Sequence, residues 1–136
     1  MFDTDFGFGL AGNYANDTLA FALEPNGPDW PNPPWSTFLL RRLVTNREFV
    51  EHFVNHFATH LNTVFKAEKV IARINEMEAA LAPDMPAHQR RWGGSMSGWR
   101  SNVQVLRDFA SRRVAQVRGH LASRFGLGPQ ATIQLA

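Results

Sequence analysis

The first residues of the chain hold the side chains best suited to chemistry. Asp3 and Asp5 stand two positions apart and are followed by Phe6 and Gly7. In an extended segment, alternate side chains point to the same side, and a glycine lets the backbone turn after them. Two carboxylates placed in this way suit a hard cation such as Mg²⁺. We therefore take Asp3 and Asp5 as candidate metal ligands; the alternative is a short, solvated Asp-X-Asp with no ligand.

Three histidines form a second group that could bind metal. His52, His56 and His60 recur every four residues, so a helix would carry them on one face. Zn²⁺ sites do use histidines at this spacing. However, Phe53 stands where the His-Glu-X-X-His motif of zinc hydrolases has its glutamate. We interpret the three histidines as the edge of an apolar helix face rather than as ligands.

The glycine-rich segment 93–98 is a third candidate, for phosphate binding. It lacks the Lys-Ser/Thr continuation and the preceding strand of a phosphate-binding loop, so we interpret it as a joint between helices. Arg90, Arg91 and Arg100 flank the joint. They would bring positive charge to a nucleotide phosphate if the joint lay over the N-terminal aspartates.

Charge is distributed unevenly along the 136 residues, although the formal net charge is only +2. Residues 1–35 contain acidic residues but no lysine or arginine. Residues 90–136 contain many arginines and a single acidic residue, Asp108. This asymmetry indicates either an anionic partner or an acidic site beside a basic surface. Arg100, Arg107 and Arg118 lie close to one face of the last predicted helix. We favour the interpretation that this face is solvated and makes ion pairs with the acidic N-terminal segment. No helix-turn-helix, zinc-finger or RNA-recognition signature accompanies these arginines, so nucleic acid is not the expected partner.

The elements that must position these residues are mostly helical. We predict a mainly α fold with about five helices and a short β or irregular N-terminal segment. The segment after Asn16-Asp17-Thr18 is a capped turn of helix or a buried strand, and residues 25–34 form a proline-rich loop. Ser36 is the expected cap of a helix over 37–44.

Three longer helices follow in the prediction. The first begins at the capping-box pattern Thr45-Asn46-Arg47-Glu48, the second spans 66–81, and the last runs from about Trp99 to Phe125, with Gly126 as its C-terminal cap. Apolar residues at helical spacing mark the expected core positions, which are Phe49, Val50, Phe53, Val54, Phe57, Ala58, Leu61, Phe65, Val70, Ile71, Ile74, Met77, Leu81, Val103, Leu106, Phe109, Ala110, Val114, Val117 and Leu121. Residues 128–136 alternate like a strand.

Composition excludes several classes of protein. The chain has no cysteine, which rules out disulfides and thiolate metal sites. No apolar run approaches the ~20 residues of a membrane-spanning helix, and Met1 to Asp5 lack the basic start of a signal peptide. We expect one folded domain without a membrane span.

The order of these features resembles the C-terminal part of the spore coat protein CotH kinase family. The segments that carry the resemblance are Asp3-X-Asp5-Phe6-Gly7, Asn16-Asp17-Thr18-Leu19, Trp35-Ser36-Thr37, Leu39-Leu40-Arg41-Arg42-Leu43, Asn46-Arg47-Glu48-Phe49, Arg91-Trp92, Trp99, Asn102-Val103 and Phe109-Ala110-Ser111-Arg112-Arg113. The resemblance implies the C-terminal lobe of an atypical kinase-like fold over residues 1–127. Within it, 1–35 would be an acidic active-site segment with a proline-rich loop, and 36–127 a helical lobe. Residues 128–136 would be a linker or the start of a following strand.

Members of this family resemble atypical protein kinases that transfer phosphate from ATP to serine on secreted or spore-coat proteins. The resemblance implies Mg²⁺ and ATP as cofactors, with Asp3 and Asp5 as catalytic metal ligands, much as protein kinases use an Asp-Phe-Gly motif. It also implies a serine-containing coat or surface protein as substrate and a secreted, cell-surface or spore-coat location.

One departure from the family pattern concerns the sequence before Asp3. The family's nucleotide-binding lobe, its phosphate-contacting lysine and a second acidic loop would all precede that residue. We therefore expect the chain to be a fragment that is inactive alone and that needs the missing N-terminal lobe of its own domain. The alternative is a non-catalytic helical interaction module that binds an anionic partner through its arginine-rich last helix.

Overall fold

The computed structural model describes residues 7–9, 14–29 and 32–128, and within these ranges the protein is helical, without a strand. This confirms the predicted mainly α fold, with six α-helices instead of about five. The helices are α1 (Thr18–Ala22), α2 (Phe38–Leu43), α3 (Arg47–Asn62), α4 (Ala67–Leu81), α5 (Met85–Trp92) and α6 (Met96–Phe125). A 3₁₀ turn, Pro34–Thr37, precedes α2. The strand predicted at the C-terminus lies almost entirely outside the described residues.

Helix α1 resolves the ambiguity over the segment after Asn16. The Oδ1 atom of Asp17 accepts a hydrogen bond of 2.8 Å from the backbone N–H of Ala20. This bond satisfies one of the amides left unpaired at a helix start, which favours a helix over a strand here. The predicted capped turn of helix is therefore correct.

The start of α2 differs from the prediction. Pro34 occupies the first turn of the 3₁₀ segment, where its fixed φ suits the turn and its missing N–H is no loss. Ser36 therefore lies inside this turn, and its backbone N–H donates to the carbonyl of Pro33 over 2.9 Å. Thr37 stands at the N-cap of α2 and makes no side-chain cap bond. The predicted cap by Ser36 is wrong because the proline starts the turn earlier.

The start of α3 is capped one residue later than the capping-box pattern predicts. The Oδ1 atom of Asn46 accepts a hydrogen bond of 3.0 Å from the N–H of Phe49. The hydroxyl of Thr45 instead donates to the carbonyl of Arg42, 2.7 Å away, at the end of α2. Asn46 is thus the cap, and Thr45 closes the preceding turn.

Helices α4 and α6 follow the predicted pattern with one shift, whereas α5 was not predicted. Helix α4 matches the predicted 66–81 closely, while α6 begins three residues before the expected Trp99. The Oγ atom of Ser95 accepts a 3.0 Å bond from the N–H of Gly98, so this glycine lies in the first turn of α6. At the other end Gly126 has φ +62°, and the N–H of Leu127 bonds back to the carbonyl of Ala122 over 3.0 Å. The predicted glycine cap of α6 is confirmed, with the bond of a Schellman motif.

The chain divides into two compact units, one made of Met1–Asn16 with Phe57–Gln116 and the other of Asp17–His56 with Val117–Ala136. In the first unit the buried apolar residues are Leu61, Val103 and Ala110, and in the second they are Leu23 and Leu121. Four of the predicted core positions are therefore fully buried. The prediction is wrong for Phe65, Met77 and Leu81, which are exposed, and the remaining ones are half-buried. In the second unit the Phe53 ring lies 5.8 Å from that of Phe49 and 6.0 Å from that of Phe125, between ring centroids.

We expect Asn46→Ala to lower the free energy of unfolding by about 1 kcal/mol, because it removes the acceptor for the N–H of Phe49. The matched control is Asn55→Ala, in the exposed middle of the same helix, which should be neutral or slightly stabilising because alanine is the better helix former. Urea denaturation followed by circular dichroism measures both. A larger loss for Thr45→Ala than for Asn46→Ala would contradict the assignment of the cap.

Candidate functional site

The candidate metal ligands Asp3 and Asp5 lie outside the described residues. The described residues that follow them in the sequence are the turn at residues 7–9 and the segment that begins at Tyr14. Both belong to the first unit, together with residues 57–116 of the chain. The contacts of these neighbours show how the first unit holds the part of the chain that follows the aspartates.

Two arginines of α6 hold the segment at Tyr14. The Nη1 atom of Arg113 donates to the backbone carbonyl of Tyr14 over 2.8 Å and to that of Asn16 over 2.6 Å. Hydrogen bonds from a charged donor are roughly twice as strong as neutral ones. The guanidinium of Arg112 adds a stacking contact, 5.1 Å from the centroid of the Tyr14 ring. Both arginines therefore fix this segment against α6.

The turn at residues 7–9 contacts the same stretch of α6. The rings of Phe8 and Phe109 lie 5.4 Å apart between centroids. Phe8 has φ +53°, in the left-handed region that residues other than glycine rarely adopt, and Gly9 follows with φ +84°. Phe109 also contacts the guanidinium of Arg113, which lies 5.8 Å from its ring centroid.

The residues of α6 that make these contacts were not identified from the sequence. Phe109, Arg112 and Arg113 stand three and four positions apart, which is the spacing of one helix face. That spacing was the available signal. The sequence offered polyanion binding or ion pairs with the acidic N-terminal segment as roles for the arginines. Arg113 does bond that segment, but through backbone carbonyls instead of carboxylates.

Arg107, a residue of the arginine-rich face proposed for an anionic partner, is engaged within the first unit. Its Nε donates to Oδ1 of Asn75 over 2.9 Å, and its Nη2 forms an ion pair with Oε2 of Glu78. The Arg107 and Glu78 side chains are both only 23% exposed. This arginine therefore joins α6 to α4, and its charge is compensated there. The observation argues against a polyanion-binding face centred on Arg107.

The three arginines expected near a nucleotide phosphate are all exposed. The guanidinium of Arg91 lies 5.1 Å from the ring centroid of its neighbour Trp92. Arg90 and Arg100 make no hydrogen bond or ion pair through their side chains in the part of the chain that the structure describes. The joint that they flank covers residues 93–95, with φ +84° at Gly93 and +109° at Gly94. It is shorter than the predicted 93–98 because α6 begins at Met96.

The histidines of α3 are exposed at all three positions, 52, 56 and 60. The His60 ring lies 6.3 Å from that of Phe65, edge to face, which agrees with a place at the margin of an apolar surface. Over the described ranges, no group of three or more His, Cys, Asp or Glu side chains is placed to hold a metal ion. None of the helices in those ranges has the length and apolar character that a membrane crossing requires.

Comparison with known proteins gives one finding. A family model described as CotH kinase protein matches residues 1–117 of the chain, a range that includes Asp3, Asp5 and the Phe109 to Arg113 face of α6. No curated protein and no solved structure matches the chain.

We expect Arg113→Met to loosen the segment at Tyr14, because methionine keeps an apolar stem but donates no hydrogen bond. Exchange of the backbone amides of residues 14–16, measured by NMR, should accelerate about tenfold or more. The control is Arg100→Met, on the same helix, where the arginine has no side-chain partner among the described residues. Unchanged amide exchange in Arg113→Met would show that the guanidinium does not hold the segment.

Proposed function

Since the chain belongs to the CotH kinase family, we propose that it supplies the Mg²⁺-binding Asp-X-Asp motif of an atypical protein kinase domain. The complete domain would transfer phosphate from ATP to serine of a secreted, cell-surface or spore-coat protein. The family match over residues 1–117, which includes both aspartates, is the observation that carries this proposal.

The donor set of the motif fits the proposed metal. Asp3 and Asp5 offer only carboxylate oxygens, which are the ligands that a hard cation such as Mg²⁺ prefers. Asp3 and Asp5 would hold the ion, which would supply positive charge to the nucleotide phosphates. The two carboxylates would place and orient the nucleotide through that ion. Arg90, Arg91 and Arg100 are proposed as further contacts to the phosphates, since no carboxylate is paired with Arg90 or Arg100 among the described residues.

Phe109, Arg112 and Arg113 contact Phe8, Tyr14 and Asn16, and we call these contacts the anchor on α6. The anchor supports the proposal because phosphoryl transfer depends on positioning. A metal ligand that shifts by about 1 Å can reduce the rate by 10²-fold. Phe109 holds the turn that follows Asp5, and Arg113 holds the carbonyls at Tyr14 and Asn16. The chain next to the aspartates is thus bound at two points to a helix of 30 residues. Arg113 would act as a positioning residue rather than a catalytic one.

The proposed active site also needs a lysine that contacts phosphate. The chain has two lysines, and both are exposed at the N-terminal end of α4. Lys66 precedes the helix and pairs with Glu68 over 3.7 Å, and Lys69 lies in the first turn. Neither position resembles a strand that faces a nucleotide. We therefore propose that an N-terminal lobe of the same domain supplies the lysine, and that residues 1–136 alone lack transfer activity.

We expect Asp3→Asn and Asp5→Asn each to reduce phosphoryl transfer by the complete domain at least about 100-fold, because each change removes a negative charge from the metal site. The measurement is Mg²⁺-dependent transfer of labelled γ-phosphate to a serine-containing coat protein. The control is Asp29→Asn, an exposed aspartate of the same acidic segment outside the motif. Full activity in both motif variants would refute the assignment of the metal ligands.

A further inference from the structure

The second unit contains a cavity at α2 that the proposed kinase chemistry does not use. It has a volume of about 490 Å³, within the range of small-molecule sites. We call it the α2 pocket, and its lining residues are Leu23, Pro25, Phe38, Arg41, Arg42, Val44, Thr45 and Arg124. Three of these residues are arginines and none is acidic, so the walls of the pocket are positively charged.

Arg41 builds one wall of the α2 pocket and keeps its charge. Its Nη1 atom donates to the carbonyls of Glu24 and Pro25 over 3.1 and 3.2 Å, and its Nη2 atom donates to that of Pro34 over 2.9 Å. These acceptors are neutral, so the bonds fix the guanidinium without compensating its charge. Arg41 therefore ties the proline-rich loop to α2 and leaves a positive potential at the pocket.

The other two arginines of the α2 pocket are available to a ligand. Arg42 and Arg124 are exposed, and neither guanidinium has a hydrogen-bond or ion-pair partner within the described ranges. A guanidinium presents paired N–H donors that match the oxygens of phosphate or carboxylate. Two free guanidiniums at one cavity make a site for a compact anion.

The remaining surface of the α2 pocket is apolar. Leu23 is only 4% exposed, so it forms part of the buried floor, while Phe38 is 58% exposed and presents its ring to a ligand. Val44 is half-buried beside them. An anion that carries a small apolar group would bury that group here, whereas a fully hydrated inorganic ion would not use this surface.

We propose that the α2 pocket binds a small organic phosphomonoester. Arg42 and Arg124 hold the phosphate beside the fixed charge of Arg41, and the apolar group of the ester packs on Leu23 and Phe38. A phosphomonoester carries close to two negative charges at neutral pH and suits three guanidiniums better than a carboxylate with one. The site uses none of the residues assigned to Mg²⁺ or ATP, so it stands independently of the proposed kinase function.

Phenyl phosphate is the probe, titrated into the 136-residue chain by calorimetry in EDTA, which keeps Mg²⁺ out of any other site. We expect saturable binding of one molecule per chain, tighter than that of benzoate, phenol or inorganic phosphate. Arg42→Gln and Arg124→Gln should each weaken it about tenfold. The control Arg47→Gln removes an exposed arginine of the second unit outside the pocket and should change nothing.

Several results would overturn the α2 pocket as a phosphomonoester site. They are the absence of saturation at millimolar phenyl phosphate, an affinity for inorganic phosphate equal to that for phenyl phosphate, or an equal loss in Arg47→Gln. Circular dichroism of the variants separates lost binding from lost folding, and a folded variant with unchanged affinity at both Arg42 and Arg124 also refutes the proposal. A serine-phosphorylated peptide as competitor distinguishes the sources: tighter binding than phenyl phosphate assigns the site to phosphoproteins, and weaker binding to free metabolites.

Discussion

The N-terminal part of the first unit depends on one contact, in which the guanidinium of Arg113 donates to two backbone carbonyls. Tyr14 and Asn16 lie in no helix or strand, so the hydrogen bonds of secondary structure do not pair their carbonyls. Arg113 supplies a partner from α6 and stays charged at any physiological pH. Because the acceptors are peptide groups, the contact depends on the path of the backbone more than on the side chains at Tyr14 and Asn16. It thereby fixes the backbone at Tyr14 and Asn16 against α6.

The helices were largely predictable from the sequence, because apolar periodicity extends over many residues and tolerates local ambiguity. Helix α4 differs from its prediction by a single residue at its start. The ends of helices were less predictable, since each depends on one polar side chain. Thr45 and Asn46 are both good caps, and only the carbonyl of Arg42, which takes the threonine hydroxyl, decides between them. Gly98 looked like a breaker, yet the hydroxyl of Ser95 satisfies its amide and makes it part of α6.

Only part of the candidate site was predictable from the sequence. The spacing of Asp3 and Asp5 indicates a cation by itself, because both the ligand type and its repeat are visible in the sequence. The anchor was not predictable in this way, since its acceptors are peptide carbonyls, which every residue possesses. Helical spacing showed that Arg112 and Arg113 share a region of α6 with Phe109, but spacing names no partner. Only the fold shows that Arg113 bonds the N-terminal segment while Arg107 pairs with Glu78 on α4.

The arginines of the chain therefore form no single functional class, although the sequence groups those of residues 90–136 as one basic stretch. An ion pair with a carboxylate, as at Arg107, removes the charge from the surface potential. A bond to a neutral carbonyl, as at Arg41 or Arg113, fixes the guanidinium and preserves its charge. A fixed, uncompensated charge is what an anionic ligand requires, because the side chain has already lost its conformational freedom before the ligand arrives. In the second unit Arg41 is bonded in this way at the α2 pocket, where Arg42 and Arg124 have no side-chain partner among the described residues, and this is why the proposed anion is placed there.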